Sequence, residues 1–377
     1  MKSPCHVCAC DTLEIFTAFA QLRRVTSDCK PWPAGGQLGV CAACGCVQAA
    51  IDERWRAEAD QIYRDYTIYY QSGGTEQSVF DQTSGTAATR SDRLVARLAE
   101  QVELPTSGRW LDVGCGNGGF LGSFARRFPA WTLAGVEYDA KYRTQVEAIP
   151  GVERLYTGDL AEVPGEFDAI SLVHVLEHIE NPRRFLASVQ AKLRPGGWLI
   201  VELPHYADNP FELLIADHAT HYGLETASAL LEREGFRLVQ TSDCWIPKEL
   251  TLVARNEAPV PGRVPAAVRE AGPMLGWLAA VVADGRRFAS EAGRFGLFGT
   301  SIAGTWLYGE IADAVQFFVD EDPGRVGGEH FGRPIQGPAE VPAGSEVYVG
   351  LPPKIARAVV ARLSRAGVRY RAAPELP

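Results

Sequence analysis

The chain reads as an α/β protein: a central parallel sheet with helices on both faces, preceded by a cysteine-rich module and followed by a smaller α/β domain. Three observations predict this. Strand-like apolar runs alternate with helical stretches through the middle of the chain, the pattern of a sheet whose crossovers are helices. Seven of the nine cysteines fall within the first 46 residues. A second, weaker strand-helix alternation begins near residue 294 after a Pro- and Ala-rich segment. A length of 377 residues is enough for about two to three domains. A chain of this size buries its cores without needing disulfides or a metal to fold.

The N-terminal unit, residues 1–50, carries Cys5-x-x-Cys8 and Cys41-x-x-Cys44. In a reducing compartment such clustering points to metal, not disulfides. Four thiolates satisfy tetrahedral zinc, and such a closed site is structural. The 32 residues between the pairs leave room for a hairpin through Pro31-Trp32-Pro33 and Gly35-Gly36. Cys10, Cys46 and His6 are alternative ligands, and free buried cysteines are the competing reading.

Residues 51–105 read as mostly helical, with an aromatic-rich stretch over 62–74 and helical apolar spacing at Leu94, Val95, Leu98 and Val102. The core, 106–255, has strand-like runs at 109–114, 131–137, 152–156, 167–173 and 197–203, then a helix over 224–236 and strands at 237–240 and 249–255. Residues 256–293 read as a linker followed by a helix. The C-terminal domain, 294–377, begins with the glycine-containing FGTSIAGTW, and Asp320-Glu321-Asp322 ends its next strand. That pattern suits either a nucleotide-binding unit or tight packing with a solvated acidic loop.

The strongest chemical signal is LDVGCGNGGF over 111–120, a strand running into a glycine loop and then a helix. Glycines allow a sharp turn and a close backbone approach to a ligand. Glu137 ends the next strand, where a carboxylate can accept from two ribose hydroxyls. Asp159-Leu160 follows the third strand and can face an adenine amino group. His174-Val175-Leu176-Glu177-His178 follows the fourth, and Leu193-Arg194-Pro195-Gly196-Gly197 reads as a turn before the fifth. A nicotinamide-binding unit shares the glycine loop alone.

Taken in order over roughly 106–255, these features resemble the class I S-adenosylmethionine-dependent methyltransferases, with their Rossmann-like core. The resemblance implies that Gly114, Gly116 and Asn117 approach the methionine part of the cofactor. It implies Glu137 on the ribose and Asp159 with Leu160 at the adenine. Asp112 would order the loop or meet the cofactor's ammonium, and His174 is counted with the cofactor residues. The whole chain is similar to the zinc-containing sugar C-methyltransferases: a zinc-binding module, a methyltransferase core and a C-terminal Rossmann-like domain. Their acceptors are nucleotide-linked keto-sugars.

Five of the seven histidines lie between 174 and 221. Those following strands four and five should surround the substrate face, because ligands bind at the carboxyl ends of parallel strands. The resemblance implies His218, beside Asp217, as the base that deprotonates carbon next to a ketone. It implies His178 and Tyr70 as donors to the developing oxyanion. Tyr222 and His221 are weaker pocket candidates.

Two departures stand out. Asp217 replaces the family's Glu, and Cys244-Trp245-Ile246-Pro247-Lys248-Glu249 replaces its His-Gly-Gly turn. They leave an oxygen or nitrogen acceptor open, and a catalytically inactive scaffold of the same fold is a reading of another class. A net charge of −9 speaks against a nucleic-acid or membrane partner. The expected setting is cytoplasmic, with a small-molecule acceptor and a monomer or homodimer.

Overall fold

The computed structural model describes residues 4–67, 76, 78–80, 87–257, 271–365 and 367–376. Its central sheet has seven strands: β1 (Arg109–Val113), β2 (Thr132–Glu137), β3 (Val152–Thr157), β4 (Phe167–Val173), β5 (Leu193–Pro204), β6 (Phe236–Ser242) and β7 (Glu249–Asn256). The spatial order is β3-β2-β1-β4-β5-β7-β6. Strands β1 to β5 are parallel, and β7 runs antiparallel to both its neighbours. The order reverses between β1 and β4, which opens a crevice at their carboxyl ends.

Both faces of the sheet are apolar, as parallel strands covered on two sides require. One face packs Leu111, Ile170, Leu172, Leu199 and Val201 with Leu186, Leu230 and Phe236. The other packs Trp110, Leu133, Ala169 and Ile200 with Phe120, Leu121 and Phe124 from the helix Gly119–Arg127.

Three expectations are corrected. The Leu193–Gly197 segment is part of β5, not a turn before it; the pairing to β4 shifts between Phe167 and Ala169, and Gly196 at φ +70° absorbs the irregularity. The helix expected over 224–236 ends at Arg233, because Gly235 at φ +87° reverses the chain into β6. Residues 51–105 are not simply helical. Between the helices Glu53–Arg64 and Arg90–Gln101 lies an antiparallel pair, Ser78–Phe80 with Ala87–Thr89. The helix expected after the linker runs over Ala271–Glu291: nine of its residues are buried, and Tyr348 donates to the Val281 carbonyl at 3.3 Å. The Pro-rich stretch before it lies largely outside the described residues.

The N-terminal module is not self-contained. Its strands Leu13–Ile15, Leu38–Cys41 and Val47–Ala49 form a four-stranded sheet with Thr220–His221, which the core supplies. The C-terminal sheet has six strands in the order Glu329–His330, Arg333–Gln336, Phe317–Val319, Phe295–Phe298, Ser345–Val349 and Val368–Ala372. One cluster of buried side chains joins the three units: Phe19 and Val40, Phe211 and Leu214, Trp277 and Trp306. The Trp306 indole also donates to the Arg23 carbonyl at 2.8 Å.

Candidate active site

A cleft of about 2700 Å³ opens at the carboxyl ends of β1, β2, β4 and β5 and reaches the C-terminal domain at Ser301, Lys354 and Arg362. Typical small-molecule sites occupy roughly 300–1,000 Å³, so this cleft has space for a cofactor and a large second ligand.

All eight residues expected at the cofactor line this cleft: Asp112, Gly114, Gly116, Asn117, Glu137, Asp159, Leu160 and His174. The loop after β1 places Gly114, Gly116 and Gly118 at φ +68°, +52° and +85°. Side chains strain there. A Cβ on Gly114 would also stand 2.6 Å from Val175 Cγ2, and one on Gly118 2.5 Å from Ile149 Cδ1. Glu137 fastens this loop: its Oε2 accepts from the Gly116 amide and its Oε1 from the Tyr138 amide, both at 2.8 Å. A carboxylate has about four acceptor positions, so hydroxyl donors still find lone pairs on it.

Asp112 supports the loop from below. It is buried, and its Oδ1 accepts from Ser171 Oγ at 2.6 Å, which in turn accepts from the Trp110 indole at 2.8 Å. Burial pushes its carboxyl up to about 7, against the Ser171 bond. Asp159 caps the short turn Leu160–Glu162 by accepting from the Ala161 amide at 2.8 Å. Its side chain is exposed at the cleft edge, while Leu160 is buried. His174, at φ +54°, lies between two carboxylates: Nδ1 is 3.3 Å from Glu177 Oε1 and Nε2 is 3.1 Å from Glu249 Oε2. Burial and Arg90 disfavour its charge, but the two carboxylates outweigh them and hold its pKa up to about 10. His174 thus forms an ionic link from the end of β4 to the start of β7.

The acceptor half is built on the segment after β5. His178 and His218 both line the cleft, with ring centroids 4.5 Å apart and planes at 85°. His218 Nδ1 lies against Glu212 Oε1, and Glu212 lines the same wall. Burial lowers the His218 pKa, yet the Glu212 carboxylate more than offsets this and holds it up to about 9. His178 Nδ1 meets the Tyr63 hydroxyl at 2.8 Å.

Asp217 does not line the cleft. It is fully buried behind His178, with Oδ2 3.4 Å from His178 Nδ1. Its two oxygens accept from the Ser27 amide at 2.9 Å and the Ser27 hydroxyl at 2.5 Å. It positions a histidine and leaves no oxygen facing the cleft wall. Tyr222 is likewise removed from the cleft. It is buried in the cluster containing Cys5, Cys41 and Cys46, where the ring of an aromatic side chain serves packing. His221 is buried, and burial together with the His218 charge drives its pKa down to about 3. Tyr70 lies outside the described residues.

Three contributors escape the sequence reading. Glu212 precedes His218 by six positions in one short segment, a spacing that invites pairing only once the 3-10 turn Pro210–Leu214 is known. Tyr63 belongs to the aromatic-rich stretch, but Tyr70 is the tyrosine to which the resemblance points. Ser27 reaches Asp217 across 190 positions, and no local pattern marks it.

Cys5, Cys8, Cys41 and Cys44 bring their sulfurs within 4.8 Å of one another. The Cys5–Cys44 and Cys8–Cys41 sulfurs are 3.4 and 3.5 Å apart. Tetrahedral zinc with bonds of about 2.3 Å separates its sulfurs by roughly 3.8 Å. Each pair sits on the same turn: the Ala9 amide donates to the Cys5 carbonyl and the Gly45 amide to the Cys41 carbonyl, both at 2.9 Å, with Ala9 and Gly45 at φ +63° and +74°. All four thiols are free of disulfides, so the donor set fits zinc. Cys10 is exposed, Cys46 turns toward the Val47 carbonyl, and His6 Nδ1 bonds Thr220 Oγ1 at 2.6 Å. Glu177, His178, Glu212, His218 and His221 also approach one another closely. Here Nδ1 of His178 faces Tyr63 and Asp217, and Nδ1 of His218 faces Glu212.

In the C-terminal domain the glycine-containing loop is closed on itself. The Thr300 amide and hydroxyl both donate to Asp320 Oδ2, at 3.0 and 2.7 Å, and Arg325 donates to Thr300 Oγ1 at 3.0 Å. A Cβ on Gly304 would stand 2.0 Å from the Gly299 carbonyl oxygen. Tight loop-helix packing accounts for these glycines.

Residues 85–241 match the family model for a methyltransferase domain. The chain is 32% identical over 117 residues to a trans-aconitate 2-methyltransferase of Deinococcus radiodurans, covering 30% of this chain and 45% of that protein. It is 34% identical over 174 residues to a tRNA U34 carboxymethyltransferase of Pseudoalteromonas translucida, covering 42% and 53%. It is also 29% identical over 170 residues to an uncharacterized 37.1 kDa protein in transposon TN4556 of Streptomyces fradiae, covering 43% and 48%. The chain thus spans about half the length of these curated relatives. Among the described residues no helix is long and apolar enough to cross a membrane.

Proposed function

We propose that the protein is an S-adenosylmethionine-dependent methyltransferase that methylates carbon next to a ketone, on a nucleotide-linked keto-sugar or a related metabolite. The observation that carries this reading is the His218–Glu212 pair in the same cleft as the glycine loop and Glu137. Support for the sugar class comes from the chain order of cysteine module, core and C-terminal domain, and from a cleft that extends between the last two.

When bound, S-adenosylmethionine supplies an electrophilic methyl group. Asp112, the glycine loop, Glu137 and Leu160 would hold it. The chain's own residues then manage the proton. In the neutral form of His218, Nδ1–H points at the Glu212 carboxylate, and Nε2 is the atom that takes a hydrogen from the acceptor carbon. His178, steadied by Asp217 and bonded to Tyr63, stands beside His218, where a donor stabilises the enolate oxygen. With the proton held on His218, the acceptor carbon would keep the electron pair needed to take up the methyl group that S-adenosylmethionine would supply.

The test is exchange of the acceptor's acidic hydrogen with heavy water while S-adenosylhomocysteine fills the cofactor site. Exchange in the wild type that is lost in His218→Ala supports carbon methylation. Turnover of a competent acceptor with no exchange would favour oxygen or nitrogen as the acceptor atom. A scaffold of the same fold has no use for a carboxylate aimed at His218.

The cysteine quartet is proposed as a structural zinc site, and purified protein should contain about one zinc per chain. Cys41→Ser is expected to release it. The strand Val47–Ala49 pairs with Thr220–His221, and the Ala49 amide donates to the Ala219 carbonyl at 3.0 Å. Loosening this module therefore slackens the segment holding His218, so turnover should fall while S-adenosylhomocysteine affinity, read by calorimetry, stays close to wild type. A metal-free, fully folded and active wild type would rule the site out.

A further inference from the structure

The segment Cys244–Glu249 stands where the resemblance leads one to expect a His-Gly-Gly turn. It is firmly built. Ser242 Oγ accepts from the amides of Cys244 and Trp245 at 3.1 and 3.0 Å, Ile246 is buried, and the Lys248 carbonyl accepts from the His205 amide at 2.8 Å. Lys248 itself stands at φ +69°, a left-handed conformation that a lysine adopts at a cost and that places its side chain on the cleft wall.

Lys248 is half-buried as a residue, and no ion pair or hydrogen bond to its ammonium group occurs among the described residues. Burial depresses its pKa. The carboxylates whose charge acts on it have partners of their own. Glu249 faces Arg90 at 3.4 Å and His174 at 3.1 Å, and Asp208 faces His205 at 3.2 Å. Asn209, on the adjoining segment, lines the same wall. A cation partly shielded from water on a cleft wall, with no carboxylate of its own, is placed to take an anionic group from a ligand.

We propose that Lys248 is a specificity residue that binds an anionic group, carboxylate or phosphate, on the acceptor. The word acceptor rests on the methyltransfer reading; the anion site does not. Calorimetry on the full chain loaded with S-adenosylhomocysteine tests it with three probes: glucuronate for a carboxylate, uridine diphosphate for a phosphate, and glucose as the neutral control. One of the two anions should bind the wild type, about tenfold more weakly in Lys248→Met and Lys248→Gln, with much of the affinity kept in Lys248→Arg. Glucose should show no such dependence. Equal anion affinity in wild type and Lys248→Met, or binding of neither anion, would overturn the proposal. Lys248-dependent anion binding to a protein that fails to bind S-adenosylhomocysteine would uphold the anion site and defeat the methyltransfer reading.

Discussion

His218→Ala is expected to lower turnover by about 10²–10⁴-fold, the usual contribution of a positioned base, with S-adenosylhomocysteine affinity unchanged. The variant deletes the imidazole that Glu212 orients but touches none of the groups around the glycine loop. His178→Ala should slow turnover less than it slows binding of an enolate-like inhibitor, since its proposed partner is the oxygen and not the carbon. The pH profile carries the same claim. With its pKa held up to about 9, His218 of the free protein is cationic at neutral pH, so the base form grows as pH rises. Turnover per acceptor concentration should therefore climb toward pH 9, by up to about tenfold per pH unit. The sign for stability is opposite. A raised pKa stabilises the fold fully below the ordinary histidine value of 6.5, and that contribution is lost as pH passes about 9. A flat profile from pH 6 to 9 with His218→Ala near wild type would place the base elsewhere, with His178 next in line.

Glu137→Ala should weaken S-adenosylmethionine binding by roughly ten- to a hundredfold, because hydrogen bonds to a charged acceptor contribute about 1.5–3 kcal/mol. Two effects act together. The ribose hydroxyls lose their acceptor, and the Gly116 amide loses the carboxylate that fixes the loop. Glu137→Gln separates them, since its amide oxygen can still accept from Gly116 while the charge is gone; it should fall between wild type and alanine. Unchanged affinity in both variants would mean that Glu137 does not face the ribose.

The gathering of the glycine loop, Glu137 and Asp159 in one cleft is legible in the sequence because its signals are local. A strand, a glycine turn and a helix must be consecutive for the loop to form, and Glu137 and Asp159 are marked simply by ending the strands that follow. The same holds for the seven core strands, whose apolar runs are long enough to stand out. The acceptor half depends on contacts that no local pattern encodes. Ser27 holds Asp217 from the cysteine module, and Tyr63 meets His178 from a helix 115 positions away. The two-residue strand Thr220–His221 exists only because Val47–Ala49 offers it a partner. His218 and His178 were found as residue types near strand ends, but the resemblance paired His218 with Asp217, its chain neighbour, whereas the fold gives it Glu212. Adjacent residues on an irregular segment point apart, and Asp217 turns inward to Ser27. The Leu193–Gly197 glycines looked like a turn because a bulge and a turn draw on the same residues.

The central claim is that the cleft is a cofactor site feeding a histidine base, and its first half is tested most directly by titrating the purified wild-type chain with S-adenosylmethionine in a calorimeter. Saturable binding with one site per chain, weakened in Glu137→Ala and unaffected in His218→Ala, is the result this account predicts. No heat of binding at millimolar cofactor, from folded protein, would contradict it.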